Sequence, residues 1–190
     1  MTVDYEKLLT AAEIPKSPRI SLRKFNLDDC ADVFEYGSDE TTVKYLVWDG
    51  LKTMDDAKKN IAEYYLSRPG IYAIILTETS KCIGCISFDL HPNHEKADVG
   101  YVLNRSYWNK GYMTEALASI IAFCFEVLQL NRVEASHYVG NEASGRVMEK
   151  CGMRREGLGI EEEKIKGVFR DIVHYGITRS QYFSLDNIIL

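Results

Sequence analysis

The stretch SYWNKGYMTEAL, Ser106 to Leu117, sets an Asn-Lys-Gly turn directly before a long apolar helix. Asn109 and Gly111 both tolerate the left-handed backbone of a tight turn. A helix begins with N–H groups that have no intrahelical partner and with the positive end of its dipole. Turn and helix start together form an anion site suited to phosphate. The same residues also read as a plain Gly-containing loop before a core helix. Neither GxxxxGK followed by Ser or Thr nor GxGxxG occurs, which argues against a Walker loop and a dinucleotide fingerprint. A second group is LGIEEEKIKG, with Glu161, Glu162 and Glu163 in succession. It reads as a solvated acidic turn, and as a rim that would attract a cationic amine. CIGC (Cys82, Cys85) resembles half a zinc site but has no second cysteine pair, and strand residues three apart face opposite sides. HPNHE (His91, His94, Glu95) sits in a Pro/Asn turn, not in an HExxH helix. No metal is expected. His137 and His174 lie in strands, where packing is the default role.

These groups have to be held by a mixed α/β scaffold. RISLRKF reads as a strand. NLDDCADVFEYG reads as a helix with Asn26 as cap, Asp29 three residues on and Gly37 closing it. TMDDAKKNIAEYYLSRPG carries a Thr53/Asp56 capping pattern and stops at Pro69-Gly70. IYAIILTE, KCIGCISFDL and KADVGYVLN are three strands at hairpin spacing, an antiparallel meander. The helix after Gly111 places Leu117, Ile120, Ile121, Cys124 and Leu128 on one stripe. RVEASHYV is a strand, NEASGRVMEKCG a short helix capped by Asn141 and followed by Gly152, and FRDIVHYGIT a late strand.

The chain has 190 residues, 46% hydrophobic and 27% charged, which suits one globular domain with a core of its own. A net charge of -5 argues against direct nucleic-acid binding. Five cysteines without framework spacing suggest a reduced compartment. The first residues do not read as a signal peptide, and the run ALASIIAFCF is too short to span a bilayer. The expectation is a cytoplasmic protein without membrane contact.

GYVLNRSYWNKGYMTEAL, LNRVEASHYVGNEASGRVMEKCGMRREG and GVFRDIVHYGI together resemble the GNAT superfamily of N-acetyltransferases. The branch they look most like is that of the ribosomal-protein N-terminal alanine/serine acetyltransferases, and SPRISLRKFNLDDCADVFEY fits that branch too. The likeness covers residues 18–178, with 1–17 as an N-terminal extension and 179–190 as a tail. It implies a mostly antiparallel, twisted sheet flanked by helices and splayed between the strands near 97–103 and 131–138. It also implies acetyl-CoA as cosubstrate and a primary amine as acceptor. The acceptor classes left open are a ribosomal-protein N-terminus, another peptide, a polyamine and an amino sugar. A homodimer is plausible by the same likeness.

The family's acyl-CoA loop, Arg/Gln-x-x-Gly-x-Gly/Ala, falls on residues 108–113. Only Gly111 keeps the pattern, with Trp108, Asn109 and Met113 departing from it. Asn109, Lys110, Gly111, Tyr112, Met113 and Thr114 would hold the pyrophosphate through backbone N–H groups, which tolerates Met113 if its side chain points away. The backbone of Tyr101, Val102 and Leu103 would line the pantetheine arm and donate to the oxyanion. The Tyr that many relatives use to protonate the thiolate is Met148 here. Its place would be taken by Ser144, three residues after Asn141, which would bind the pantetheine; helix capping is the alternative role for both. Glu163, four residues before Gly167, would be the base, with Glu161 and Glu162 as alternatives. Two other functions remain open on the sequence: an acyl-CoA-binding module of this fold without turnover, and a nucleotide-binding protein.

Overall fold

Ile20 is buried and alternates with polar neighbours, and in the computed structural model Ile20–Arg23 is the first strand (β1). The structure describes residues 5–11, 14–15 and 17–185. The N-terminal helix α1 is Tyr5–Ala11. After β1 come α2 (Cys30–Gly37), α3 (Glu40–Val43), α4 (Met54–Lys59), β2 (Ile71–Leu76), β3 (Cys82–His91) and β4 (Lys96–Leu103). Then follow α5 (Tyr112–Ala122), β5 (Arg132–Tyr138), α6 (Glu142–Lys150), β6 (Arg154–Ile165), β7 (Val168–Thr178) and α7 (Arg179–Leu185). The strands form a seven-stranded sheet in the order β1-β2-β3-β4-β5-β7-β6. By contact the chain divides into two compact units, one of residues 17–87 and 101–116, the other of the remaining described residues.

In the first unit β1, β2 and β3 pair antiparallel, as the hairpin spacing predicts. Both capping boxes form: Asn26 with Asp29, and Thr53 with Asp56. The second predicted helix changes character at Asn60, where a π-helical stretch runs to Tyr65. Its core packs Phe25, Val33, Tyr36, Ile61 and Tyr65 over Ile71, Ala73 and Ile75. Phe25 stacks on Tyr65 with centroids 4.2 Å apart.

Cys82 and Cys85 both join this core, which corrects the expectation that they face opposite sides. The reason is a bulge: Ile74 pairs Gly84, and the next residue, Ile75, pairs Cys82. The extra β3 residue resets the alternation and brings both thiols to one face. Burial pushes the Cys82 thiol up to about 12 and Cys85 higher still, as expected of inert packing groups. Among the described residues no cluster of three or more His, Cys, Asp or Glu is placed to hold a metal ion.

Gly84 lies where β4 comes closest. A Cβ there would stand 2.3 Å from the Val102 carbonyl oxygen and 3.0 Å from Leu103 Cα, both backbone atoms that cannot rotate away. Gly84→Ala is expected to cost about 1–3 kcal/mol by overpacking. For a chain of this size that lowers the melting temperature by roughly 3–10 °C. A calorimetric scan checks it.

In the second unit the stripe Leu117, Ile120, Ile121, Cys124 and Leu128 is fully buried, as its spacing predicts. Each of its Leu and Ile side chains contributes about 1.5–3 kcal/mol. The helix ends in a second π-helical stretch, Phe123–Val127, with Phe123 against Phe88 and Phe125 against Tyr182 of α7. The helices α1 and α7 fall in segments read from sequence as extension and tail; residues 1–4, 12–13, 16 and 186–190 of those segments lie outside the described residues.

β4 and β5 run parallel, and their ladder covers only Lys96–Val99 against Arg132–Ala135. One end is stitched by charge: Lys96 Nζ donates to Glu134 at 2.5 Å, and Arg132 Nε donates to the same carboxylate at 2.5 Å. Burial would raise Glu134, but these two cations outweigh it and hold the carboxyl below its usual range. Past Ala135, β5 continues to Tyr138 paired with β7.

Candidate active site

The end of β4 is fixed by Asn104, which is buried. Its N–H donates to the Ile83 carbonyl at 2.8 Å, its Nδ2 donates to Glu35 at 2.8 Å, and its Oδ1 accepts from Ser106 N–H at 3.0 Å. The Trp108 indole folds back and donates to the Leu103 carbonyl at 2.7 Å. With that carbonyl occupied, the turn is set. Asn109 and Gly111 then both take left-handed backbone, at φ 59° and 85°. Helix α5 follows at once, its ladder opening with Glu115 N–H donating to Gly111 carbonyl at 3.1 Å. Met113 is buried, so at the position that departs from the loop pattern the side chain is turned inward and the backbone stays presentable.

One acid stands in the first turn of α5, and it would repel an anion there. That acid, Glu115, is neutralised from the N-terminal side. Arg19 Nε donates to it at 2.6 Å, Arg19 also bridges it through its terminal nitrogen, and Ser17 donates to its other oxygen. The Arg19 guanidinium also lies 4.7 Å above the Tyr112 ring. The turn therefore keeps a net positive end. Sequence reading missed Arg19, because its partner is 96 residues away. Lys110 does not reach out from the turn; its ammonium donates to the Ser106 carbonyl at 2.9 Å.

In the second unit, β5 leads through Gly140 into α6. Asn141 occupies the cap position, but its side chain makes no capping bond; only its carbonyl accepts, from Ser144 N–H at 3.0 Å. The capping role expected of the Asn141 side chain is corrected accordingly. Met148 is fully buried, so the site where many relatives carry an acidic phenol is core here. His137, buried under α6, donates from Nδ1 to the Tyr138 carbonyl at 3.0 Å and packs on Tyr175.

The acidic run is not the turn that composition suggests. It lies within β6, which pairs with β7 alone at the sheet edge. Between Gly159↔Ile172 and Glu163↔Arg170 the strand carries two extra residues, and Glu161 takes φ 49° in this bulge. The amide lost from the ladder is satisfied by Asp171, whose carboxylate accepts from Glu161 N–H at 2.8 Å. The bulge gives the three acids different fates. Glu162 folds over Gly159 and meets His174 Nε2 at 2.7 Å. Glu163 accepts from the Tyr138 hydroxyl at 2.7 Å. The register places Tyr138, Ile172, His174, Arg170 and Glu163 on one face of the sheet, with Gly157 and Gly159 bare there. His137 alternates with Tyr138 and points to the other face, beneath α6.

Each unit thus gathers its own share of the candidate residues. Tyr101 to Leu103 and Asn109 to Thr114 form one continuous path from β4 into α5. Asn141, Ser144 and Glu163 lie around the far end of β5.

Known proteins resemble this chain in sequence and fold. The family model described as an acetyltransferase (GNAT) domain matches residues 19–154. The chain is 31% identical over 169 residues to "Uncharacterized N-acetyltransferase p20" of Bacillus licheniformis, covering 86% of this chain and 95% of that one. A GNAT-family acetyltransferase of Bacillus anthracis superposes with a TM-score of 0.80 at 31% identity, over 87% of this chain and 98% of the other. A shorter match, 29% over 80 residues and 42% and 41% of the two chains, is to the [Ribosomal protein uS5]-alanine N-acetyltransferase of Escherichia coli. With the domain model spanning most of the chain and a relative 31% identical along nearly its whole length, the chain belongs to the GNAT family of acetyltransferases.

Proposed function

We propose that the protein transfers the acetyl group of acetyl-CoA to a protein N-terminal α-amine, of the ribosomal-protein type. The observation that carries this reading is the Glu163 carboxylate, exposed beside the end of β5 and in no ion pair among the described residues. An α-amine has a pKa of about 7.7–8.0, against about 10.4 for a lysine side chain. It is partly neutral at neutral pH, so one solvent-accessible carboxylate is sufficient to take its proton. A relative named as a ribosomal protein uS5 alanine N-acetyltransferase supports a ribosomal-protein acceptor. A spermidine N(1)-acetyltransferase of Vibrio cholerae matches at 17% identity, so a polyamine is the second reading.

In the reaction the amine nitrogen forms a bond to the acetyl carbonyl carbon as the carbon–sulfur bond breaks. Bound acetyl-CoA supplies the activated acyl group. The backbone from Lys110 to Thr114 binds its pyrophosphate, supported by the Arg19–Glu115 pair. Backbone N–H groups in Tyr101 to Leu103 donate to the carbonyl oxygen as charge grows there. Glu163 accepts the proton of the amine, directly or through water, and Ser144 supplies a proton or hydrogen bond to the departing sulfur. Asn141, its side chain unused in capping, orients the arm.

Thiol release from acetyl-CoA in the presence of a panel of amines tests the reading. Peptides with a free N-terminus are expected to turn over faster than spermidine and amino sugars. Tight CoA binding without release by any amine would instead support a binding module.

A further inference from the structure

We infer that Tyr138 is a positioning residue for the base, an inference that rests on the reading of Glu163 given above. Tyr138 is the last residue of β5, beyond the final β4–β5 rung at Val99↔Ala135. Its hydroxyl, half-buried, donates to Glu163 Oε2 at 2.7 Å across 25 residues of sequence. Burial, and then the Glu163 carboxylate, raise the phenol well above its usual range. It therefore stays protonated at neutral pH and acts as a donor only.

The identity of the partner matters. Arg170 is the register partner of Glu163 on β7 and shares its face, yet it forms no salt bridge with it. A guanidinium would hold both carboxylate oxygens and compensate their charge. A phenol holds one oxygen through a neutral donor and leaves Oε1 of the exposed Glu163 with no partner among the described residues. The neighbouring acid shows the contrast, since Glu162 is taken by His174. The two-residue bulge is what delivers Glu163, and not Glu162, to Tyr138. On this geometry Tyr138 fixes the rotamer of a long, exposed side chain at the end of β5, and so selects Glu163 from three successive glutamates.

The test is a double-mutant cycle on the full chain with acetyl-CoA and a peptide acceptor, with thermal melts of every variant. Tyr138→Phe is expected to lower kcat about tenfold, as for loss of one hydrogen bond to a charged group, with KM for acetyl-CoA unchanged. In the Glu163→Gln background the same change is expected to have no further effect. An equal loss of kcat in both backgrounds, or a rise in KM for acetyl-CoA, would show a structural role and overturn the inference while leaving the base reading intact. Full activity of Glu163→Gln would overturn both. Should Tyr138→Phe fail to fold, fluorotyrosine at position 138 alters donor strength at constant shape; a kcat change that needs Glu163 supports the inference, and one that does not need it refutes it.

Discussion

Glu163→Gln should lower kcat by about 10²–10⁴-fold, the usual contribution of one positioned acid or base, with acetyl-CoA affinity unchanged. Gln keeps the length of the side chain and can still accept from Tyr138, so the loss reports the missing proton acceptor and not a rearranged hairpin. Raising the pH should recover part of the rate, because the acceptor α-amine, with a pKa of about 7.7–8.0, loses its proton unaided. Ser144→Ala should also slow the reaction but gain nothing from higher pH, since its role is at the leaving sulfur. Steady-state kinetics of both variants from pH 6 to 9 on one peptide separates the two. Glu163→Gln with wild-type kcat across that range would move the base elsewhere. Glu161 would come next, since Glu162 is tied to His174.

Gly111→Val should weaken acetyl-CoA binding at least about tenfold, equivalent to roughly 1.4 kcal/mol. Gly111 sits at φ 85°, where a β-branched residue is a genuine outlier, and even one αL residue costs roughly 1–2 kcal/mol. The new Cβ would also stand 3.0 Å from the Arg19 guanidinium and press on the pair that neutralises Glu115. Both effects act on the turn that presents the α5 amides. Titration calorimetry with CoA measures the change. Gly111→Asn should lose less, because Asn tolerates left-handed backbone, as Asn109 does at φ 59°. Equal affinity in Gly111→Val and the parent protein would remove the pyrophosphate from this loop.

What the sequence made legible was local. The capping boxes of Asn26 and Thr53, the buried stripe of α5, and the left-handed Asn109 and Gly111 depend on residues a few positions apart, where spacing is a direct physical signal. What it hid depends on registers. The bulge opposite Ile74/Ile75 reverses the side on which Cys82 lies, and no periodicity announces it. The bulge at Glu161 turns three alike glutamates into three different groups, through Asp171, His174 and Tyr138. Composition suggested a solvated turn because edge strands tolerate exposed charge, and charge was all the sequence displayed. Arg19 was missed for a related reason: a long-range ion pair leaves no mark on either partner's local sequence. Asn141 shows the converse, a good capping residue by type whose side chain makes no cap.

The most direct measurement is to incubate the protein with acetyl-CoA and a peptide carrying both a free N-terminal alanine or serine and an internal lysine, and to locate the added acetyl group by tandem mass spectrometry. The account predicts acetyl on the α-nitrogen, with the lysine untouched. Acetyl on the lysine side chain, or an unmodified peptide beside rapid acetylation of spermidine, would contradict it.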